Sequence, residues 1–418
     1  MMLNINWVRD RFPALNDSTV HLDNPGGTQI VQDSLDRIND YLTHCNSNFH
    51  GAFESSRKSD EIILEARTGV ADLINASRPE EIVFGPNMTT LTFNISRSIA
   101  RTWNKGDKIV VTRLEHDANI TPWVIAAQER GCSVIYVDFH PEDCSLNMEE
   151  MKDALDQNPV FVALGYASNA VGTINPVKKI TLSAHKAGAL VYIDAVQYAP
   201  HGPIDVQELG CDFLVFSAYK LFGPHIGVLY GRYDLLDSLN AYKVRPASIY
   251  PPEKFETGTK NHEGIAGVLG VIEYLSQLGD MQNEEVDISK GYTFKGRKLQ
   301  LKKAMYAIRA NEYELSRSIL DFLEEIPGLT LYGINDIRRL EERVPTFAFA
   351  LKDIHPRVVA QRLDEFGIFV WDGNYYALSV TERLGVEKDG GLVRIGPVHY
   401  NTLGEITRLK EALSEIAV

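Results

Sequence analysis

The chain has 418 residues, 44% hydrophobic and 23% charged, an ordinary balance for a folded globular protein with room for one broad core and a smaller companion. Its 42 basic and 56 acidic residues give a net charge of −14, which leaves no electrostatic footprint for nucleic acid or an anionic membrane and points to small-molecule partners. No basic, apolar and cleavage pattern opens the chain and no apolar run reaches about 18 residues, so a cytoplasmic location is expected.

The pattern in chain order is that of an α/β protein. Between about residues 80 and 230, short runs rich in β-branched and aromatic residues alternate with segments of helical period. The runs begin at Glu81, Lys108, Cys132, Pro159, Leu190, Asp212 and His225. Most read as strands buried on both faces, the mark of a largely parallel sheet covered by helices. Helices are expected around Trp123 to Arg130 and Leu182 to Ala187, each closed by a glycine. A charged helical pattern over 281–325 leads to further strands at Pro345 to Leu351 and Gly367 to Trp371, and an amphipathic helix closes the chain from Leu403. The expected division is an N-terminal segment (1–20) packing with a small domain, a large domain (21–280) and a small α+β domain (281–418).

Four scattered cysteines, Cys45, Cys132, Cys144 and Cys211, read as reduced thiols, and eleven scattered histidines show no metal-ligand spacing. No metal is expected.

The chemistry collects at strand ends. Phe213 to Ser217 is an apolar run that closes on Lys220, Gly223 and Pro224. A half-desolvated lysine there can stay neutral and condense with an aldehyde, as a protein does when it anchors pyridoxal 5'-phosphate (PLP). An ordinary solvated lysine is the better fit to that segment taken alone, until Asp194 is considered. Asp194 ends its own apolar run, and a carboxylate against the pyridine nitrogen keeps that nitrogen protonated. Gln197 follows close behind.

Three further strand ends add suitable groups. Thr89 and Thr90 open a helical pattern, either as a phosphate cradle or as simple N-caps. His116 follows Lys108 to Thr112, where it can lie over a cofactor ring or serve as a hydrogen-bonded structural residue. Asn169 follows Pro159 to Gly165 at the same rim. Five strand ends converging on one crevice favour a built site over accident.

Across nearly its whole length the sequence resembles the class V aminotransferase family of fold-type I PLP enzymes, in its cysteine desulfurase branch. The resemblance lies in Glu115 to Asn119, Ser168 to Thr173, Ile193 to Gln197, Asp212 to Lys220, Phe255 to Thr259 and Val393 to Gly396. It implies a large domain with a mainly parallel sheet, a smaller α+β C-terminal domain and PLP bound covalently to Lys220. His116 would stack on the ring, Asp194 would meet the pyridine nitrogen and Gln197 the phenolic oxygen. Thr90 and Ser217, with Thr89 in support, would hold phosphate, and Thr259 would reach it from the partner subunit of a homodimer with shared active sites. Asn169 and Arg394 would grip the carboxylate of an amino-acid substrate.

Two departures stand out. Tyr219 occupies the position before the lysine where the branch has histidine, and it still offers one hydrogen bond to phosphate. In place of the mobile loop whose cysteine accepts sulfur, the chain carries Phe369 to Leu378, with Trp371, Tyr375 and Tyr376 and no cysteine. It is similar to the desulfurase-like subgroup with a Trp-Asp-Gly-x-Tyr-Tyr-Ala pattern. Trp371, Tyr375 and Tyr376 are expected to form a pocket for a side chain bulkier or more apolar than that of cysteine, and His50 and the loop Asn24 to Thr28 to line its entrance. The expected activity is carbon–sulfur β-elimination on cysteine or an S-substituted cysteine, with transamination or epimerisation as the alternative and a non-catalytic scaffold as the reading from another class.

Overall fold

The computed structural model describes residues 3–282 and 294–417. Its strands are β1 (Val20–His21), β2 (Ile82–Gly85), β3 (Lys108–Thr112), β4 (Ser133–Val137), β5 (Phe161–Gly165), β6 (Leu190–Asp194), β7 (Phe213–Ser217), β8 (Gly227–Gly231), β9 (Leu329–Tyr332), β10 (Phe347–Leu351), β11 (Ile368–Phe369), β12 (Trp371–Gly373) and β13 (Leu392–Ile395). β2 to β8 form one seven-stranded sheet in the order β2-β8-β7-β6-β5-β3-β4. The strands from β4 to β7 pair in parallel, and β8 runs antiparallel to both β7 and β2.

Sequence dictates this layering. β5 and β7 are buried at every position, so their apolar side chains need cover on both faces, which crossover helices supply. One face packs Val162, Leu164, Ile193 and Leu214 against helices Glu54–Ile74 and His262–Asp280. The other packs Phe161, Tyr192 and Phe213 against helices Met88–Ala100 and Thr121–Arg130, with Trp123 fully buried between them. Each such aromatic is worth roughly 2–3 kcal/mol of burial.

A second, four-stranded sheet, β12-β13-β10-β9, is antiparallel and lies in the C-terminal part. Phe347, Phe349, Val393 and Ile395 form its core with Leu409 and Leu413 of the closing helix Leu403–Ile416. The helix Gly296–Leu323 touches both cores: Leu301 to Ile308 join the large sheet's cluster, and Leu315 to Leu323 join the small one's. Residues 283–293 of the helical pattern expected over 281–325 lie outside the described residues. Near the N-terminus Phe12 packs in the large core, while Val20 and Leu22 pack in the small one and β1 pairs in parallel with β11.

Two expectations change in detail. β4 is the sheet's edge, and four of its five residues are exposed or half-exposed, Ser133 and Tyr136 most of all. The strand expected over Gly367 to Trp371 breaks at Val370, and its halves join different sheets. Among the described residues no helix is long and apolar enough to cross a membrane.

Candidate active site

Because β3, β5, β6 and β7 run in parallel, the residues after their carboxyl ends open onto one crevice, the usual ligand position in such sheets. Its lining includes His116 after β3, Asn169 after β5, Asp194 and Gln197 at the end of β6, and Ser217, Tyr219 and Lys220 after β7. Thr89 joins them from the first turn of helix Met88–Ala100. Lys220 ends a 3-10 turn, Ala218–Lys220, that interrupts the passage from β7 to β8.

Burial governs the charges here. Lys220 is 6% exposed, and burial, with the nearby Arg394 charge, holds its ammonium down to about 7; Asp194 pulls the other way. Burial pushes Asp194 up to about 6 against the lowering effects of the Val196 N–H, which donates to its Oδ1 at 2.8 Å, and of Lys220. His116 is held down to about 3 by burial and by the Lys220 and Arg394 charges. Its Nδ1 accepts from the Ala118 N–H at 3.0 Å, so the ring is neutral and any ring proton sits on Nε2.

At one end of the crevice the helix N-terminus is tied in place. Asn87 caps the helix by accepting from the Thr90 N–H at 2.8 Å, and the Met88 N–H donates to Ser217 Oγ at 3.0 Å. Thr89 is exposed in the first turn, and its backbone N–H is among the donors a helix start leaves without intrahelical partners. Beside Asn169, Arg394, which is not itself among the lining residues, donates from Nη1 to the Asn169 carbonyl at 2.7 Å. Gln197 Oε1, Asn169 Oδ1 and Arg394 Nε are buried without partners. Such orphaned polar atoms are costly unless a ligand satisfies them.

Not every expected residue lines the crevice. Thr90 sits one residue beyond Thr89, with its N–H taken by Asn87. Thr259 is exposed in the loop that follows Glu256 and is not among the lining residues. His50 is also exposed, bonded to Glu253 at 3.2 Å. Trp371 is half-exposed in β12, opposite Arg394 of β13, and Tyr376 is 75% exposed while stacking on His116 with ring centroids 5.5 Å apart.

Three residues with no role evident from their place in the motifs also matter here. Glu115 is fully buried and accepts from Thr112 Oγ1, from Asn119 Nδ2 at 2.7 Å and from the Gly165 N–H at 2.7 Å, tying the ends of β3 and β5 together. Asn87 and Thr346 serve as helix cap and as partner of Gln197 Nε2 at 2.9 Å. Asn87 was readable as an N-cap ahead of Met88; Thr346 lies 149 residues from Gln197, and no local signal announces it.

These groups fit PLP and its substrate: a lysine held close to neutrality, an acid beside it, a neutral imidazole, a helix N-terminus suited to phosphate, and an unpartnered Arg394 Nε suited to a carboxylate, while the free oxygens of Gln197 and Asn169 are acceptors whose own N–H groups go to Thr346 and the Tyr375 carbonyl. Fold and crevice together define a fold-type I PLP-dependent enzyme. The chain belongs to the aminotransferase class-V family, whose profile matches residues 20–302 and 295–409. Among curated relatives, a cysteine desulfurase of Pectobacterium atrosepticum is 32% identical over 438 residues, covering 100% of this chain and 98% of that one. A probable cysteine desulfurase of Halalkalibacterium halodurans is 31% identical, with 99% and 98% covered. The apo cysteine desulfurase of Thermococcus onnurineus superposes with a TM-score of 0.87 at 27% identity, covering 100% and 98% of the two chains. A cysteine desulfurase of Escherichia coli superposes at 0.82 with 26% identity, each chain covered fully. The chain is thus similar to cysteine desulfurases throughout, and its cofactor is PLP.

Proposed function

We propose that this protein is a carbon–sulfur lyase that converts cysteine or an S-substituted cysteine, with water, into pyruvate, ammonia and a thiol or sulfide. One observation carries the reading. The segment beside the crevice, residues 374–377, stacks Tyr376 on the lining residue His116 and carries no cysteine, and none is found among the described residues that line the cavity. A phenol does not take up sulfur as a thiolate does, so sulfur leaves as the free thiol rather than passing to the protein.

When bound, PLP supplies an electron sink for the charge that develops at the substrate's α carbon. The chain's residues do the rest. Lys220 would carry the cofactor covalently, and its Nζ, when free, would be placed to take the α proton of the substrate; an amine held close to 7 is well matched to that task at neutral pH. Asp194 keeps a proton on the ring nitrogen. Arg394 would receive the substrate carboxylate beside Asn169, Gln197 would meet the ring oxygen once its amide turns from Thr346, and Thr89, Thr90 and Ser217 would hold the phosphate. His116 covers the ring as a neutral imidazole.

Thr259 reaches the site of a second copy. In support, Thr259 is exposed, and the residues just before its loop leave Val244 70%, Ile249 63% and Tyr250 63% exposed, an apolar surface that a homodimer would bury. Four unpaired cysteines accord with a cytoplasmic setting.

The decisive experiment incubates the pure protein with cysteine, cystine and S-alkyl cysteines and assays pyruvate. Pyruvate with matching ammonia supports the lyase. If none forms, while an amino donor converts the cofactor to its amine form and a keto acid restores it, the protein is an aminotransferase; loss of optical activity without either product marks an epimerase.

A further inference from the structure

Tyr375 and Tyr376 are consecutive residues with φ of +57° and +58°, a left-handed conformation that bulky side chains rarely adopt. Their surroundings hold them there. Asn169 Nδ2 donates to the Tyr375 carbonyl at 2.9 Å, the Asp117 N–H to the Tyr376 carbonyl at 2.7 Å, and the Tyr376 N–H to Asn374 Oδ1 at 3.1 Å. The Tyr375 hydroxyl donates to the Leu392 carbonyl, on the strand that carries Arg394.

This conformation places the Tyr375 ring, 5% exposed, against the Arg394 guanidinium, whose Cζ lies 4.3 Å from the ring centroid. Arg394 is itself 3% exposed. Its one hydrogen bond among the described residues goes to a backbone carbonyl, Nε is unpartnered, and Asp23 acts on it only from beyond ion-pair distance. A buried cation needs some compensation. A carboxylate partner would occupy the N–H edge that an incoming carboxylate needs, because that edge is the bidentate face of the group. An aromatic ring compensates through the flat face instead and leaves the edge free.

We infer that Tyr375 is a positioning residue: its ring holds the Arg394 guanidinium desolvated, flat and edge-free, ready for a substrate carboxylate. The inference rests on the reading that Arg394 receives that carboxylate. It assigns a role to an aromatic residue on a segment whose family counterpart, by the resemblance above, is a mobile loop.

The test needs no knowledge of the natural substrate. Aminooxyacetate and O-methylhydroxylamine both capture the carbonyl carbon of the bound cofactor, but only the first carries a carboxylate. Their second-order rates on the holoenzyme, followed by visible absorbance, give a ratio that reports carboxylate recognition. Tyr375→Phe keeps the ring and should hold the ratio within about threefold of the parent. Tyr375→Leu, or Tyr375→Met should the first variant fold poorly, should lower it about tenfold, the span of one desolvated cation–π contact. O-methylhydroxylamine rates should match between the Phe and Leu variants, because that reagent has no carboxylate for Arg394 to read. Arg394→Ala is the control for the underlying reading and should bring the ratio near that of the free cofactor. If it leaves the ratio unchanged, Arg394 is not the carboxylate receptor and the inference goes with it. If Arg394→Ala removes the preference while Tyr375→Leu retains it, or if Tyr375→Leu slows both reagents equally, the positioning role alone is overturned.

Discussion

Asp194 closes β6 and Lys220 lies three residues past the end of β7, on adjacent parallel strands paired through Asp194 and Val215, so one sheet edge delivers an acid and an amine to the same crevice. Burial drives the pair toward a common range, Asp194 up to about 6 and Lys220 down to about 7. Their mutual attraction opposes both shifts and is the smaller effect. Two groups poised this close to neutrality in one cavity are the kind that exchange protons with a ligand.

Lys220 should carry the cofactor covalently. Borohydride reduction of the holoenzyme followed by peptide mapping should place the pyridoxyl group on the peptide containing Lys220, and Lys220→Ala should bind PLP only reversibly. An adduct on Lys254 or Lys302, both also buried, would mean that the crevice has been misread.

Much of this site was legible because strand-ending residues announce themselves: Asp194, Lys220 and His116 each follow a short buried run, and the parallel sheet brings such ends together wherever they lie in the chain. What stayed hidden depends on tertiary partners. Glu115 reads locally as a charged turn residue, yet donors from the ends of β3 and β5 and from Asn119 make it a buried staple. Val370 reads as part of one strand, but β11 pairs with the N-terminal β1 while β12 pairs with β13, so the run is pulled into two sheets. The left-handed turn at Tyr375 and Tyr376 has no glycine or asparagine at those two positions to signal it and follows from contacts with Asn169, Asp117 and Leu392.

Glu115 should give the apoprotein a diagnostic pH dependence. Burial raises its carboxyl to about 7 from an ordinary 4.5, against three hydrogen bonds that lower it. Between those values the folded state binds more protons than the unfolded one, so its contribution is full below about 4.5 and is lost as pH rises toward 7, a swing on the order of 3 kcal/mol. Chemical denaturation of the apoprotein across that window should show the parent losing stability relative to Glu115→Gln as pH rises. The slope is the test, because glutamine also sets an amide against Asn119 Nδ2 and lowers stability at every pH. Parallel curves for the two proteins would show that Glu115 is ionised throughout.

Glu256, which is not among the residues lining the crevice, should matter for stability. Fully buried, it accepts from Arg67 at 2.8 and 3.1 Å and from the Phe84 N–H at 2.8 Å, and it pairs with Lys260 at 3.1 Å. The Arg67 and Lys260 charges, with these hydrogen bonds, outweigh burial and hold its carboxyl below the ordinary range. Glu256→Ala strands the buried Arg67 guanidinium, a loss of about 3–5 kcal/mol in equilibrium unfolding. A loss under about 1 kcal/mol would show that Arg67 rehydrates once its partner is gone.

Gly227 should control the phosphate end of the site without touching it. The residue pairs with Gly85 and Ser217 in the sheet, and a methyl group there would sit 2.6 Å from the Asn87 carbonyl oxygen and closer still to its carbon. Both atoms are backbone, so no side chain can swing aside. Asn87 caps helix Met88–Ala100, and the next residue bonds Ser217 through its N–H, so the displacement passes directly to the donors expected to receive phosphate. Gly227→Ala should therefore weaken PLP binding at least tenfold in an equilibrium titration of the apoprotein, with a stability loss of about 1–3 kcal/mol from overpacking. Inorganic phosphate should protect the parent apoprotein against thermal unfolding and protect the variant less, because phosphate tests that end of the site by itself. Equal protection of the two, with PLP affinity unchanged, would place the phosphate elsewhere than at this helix.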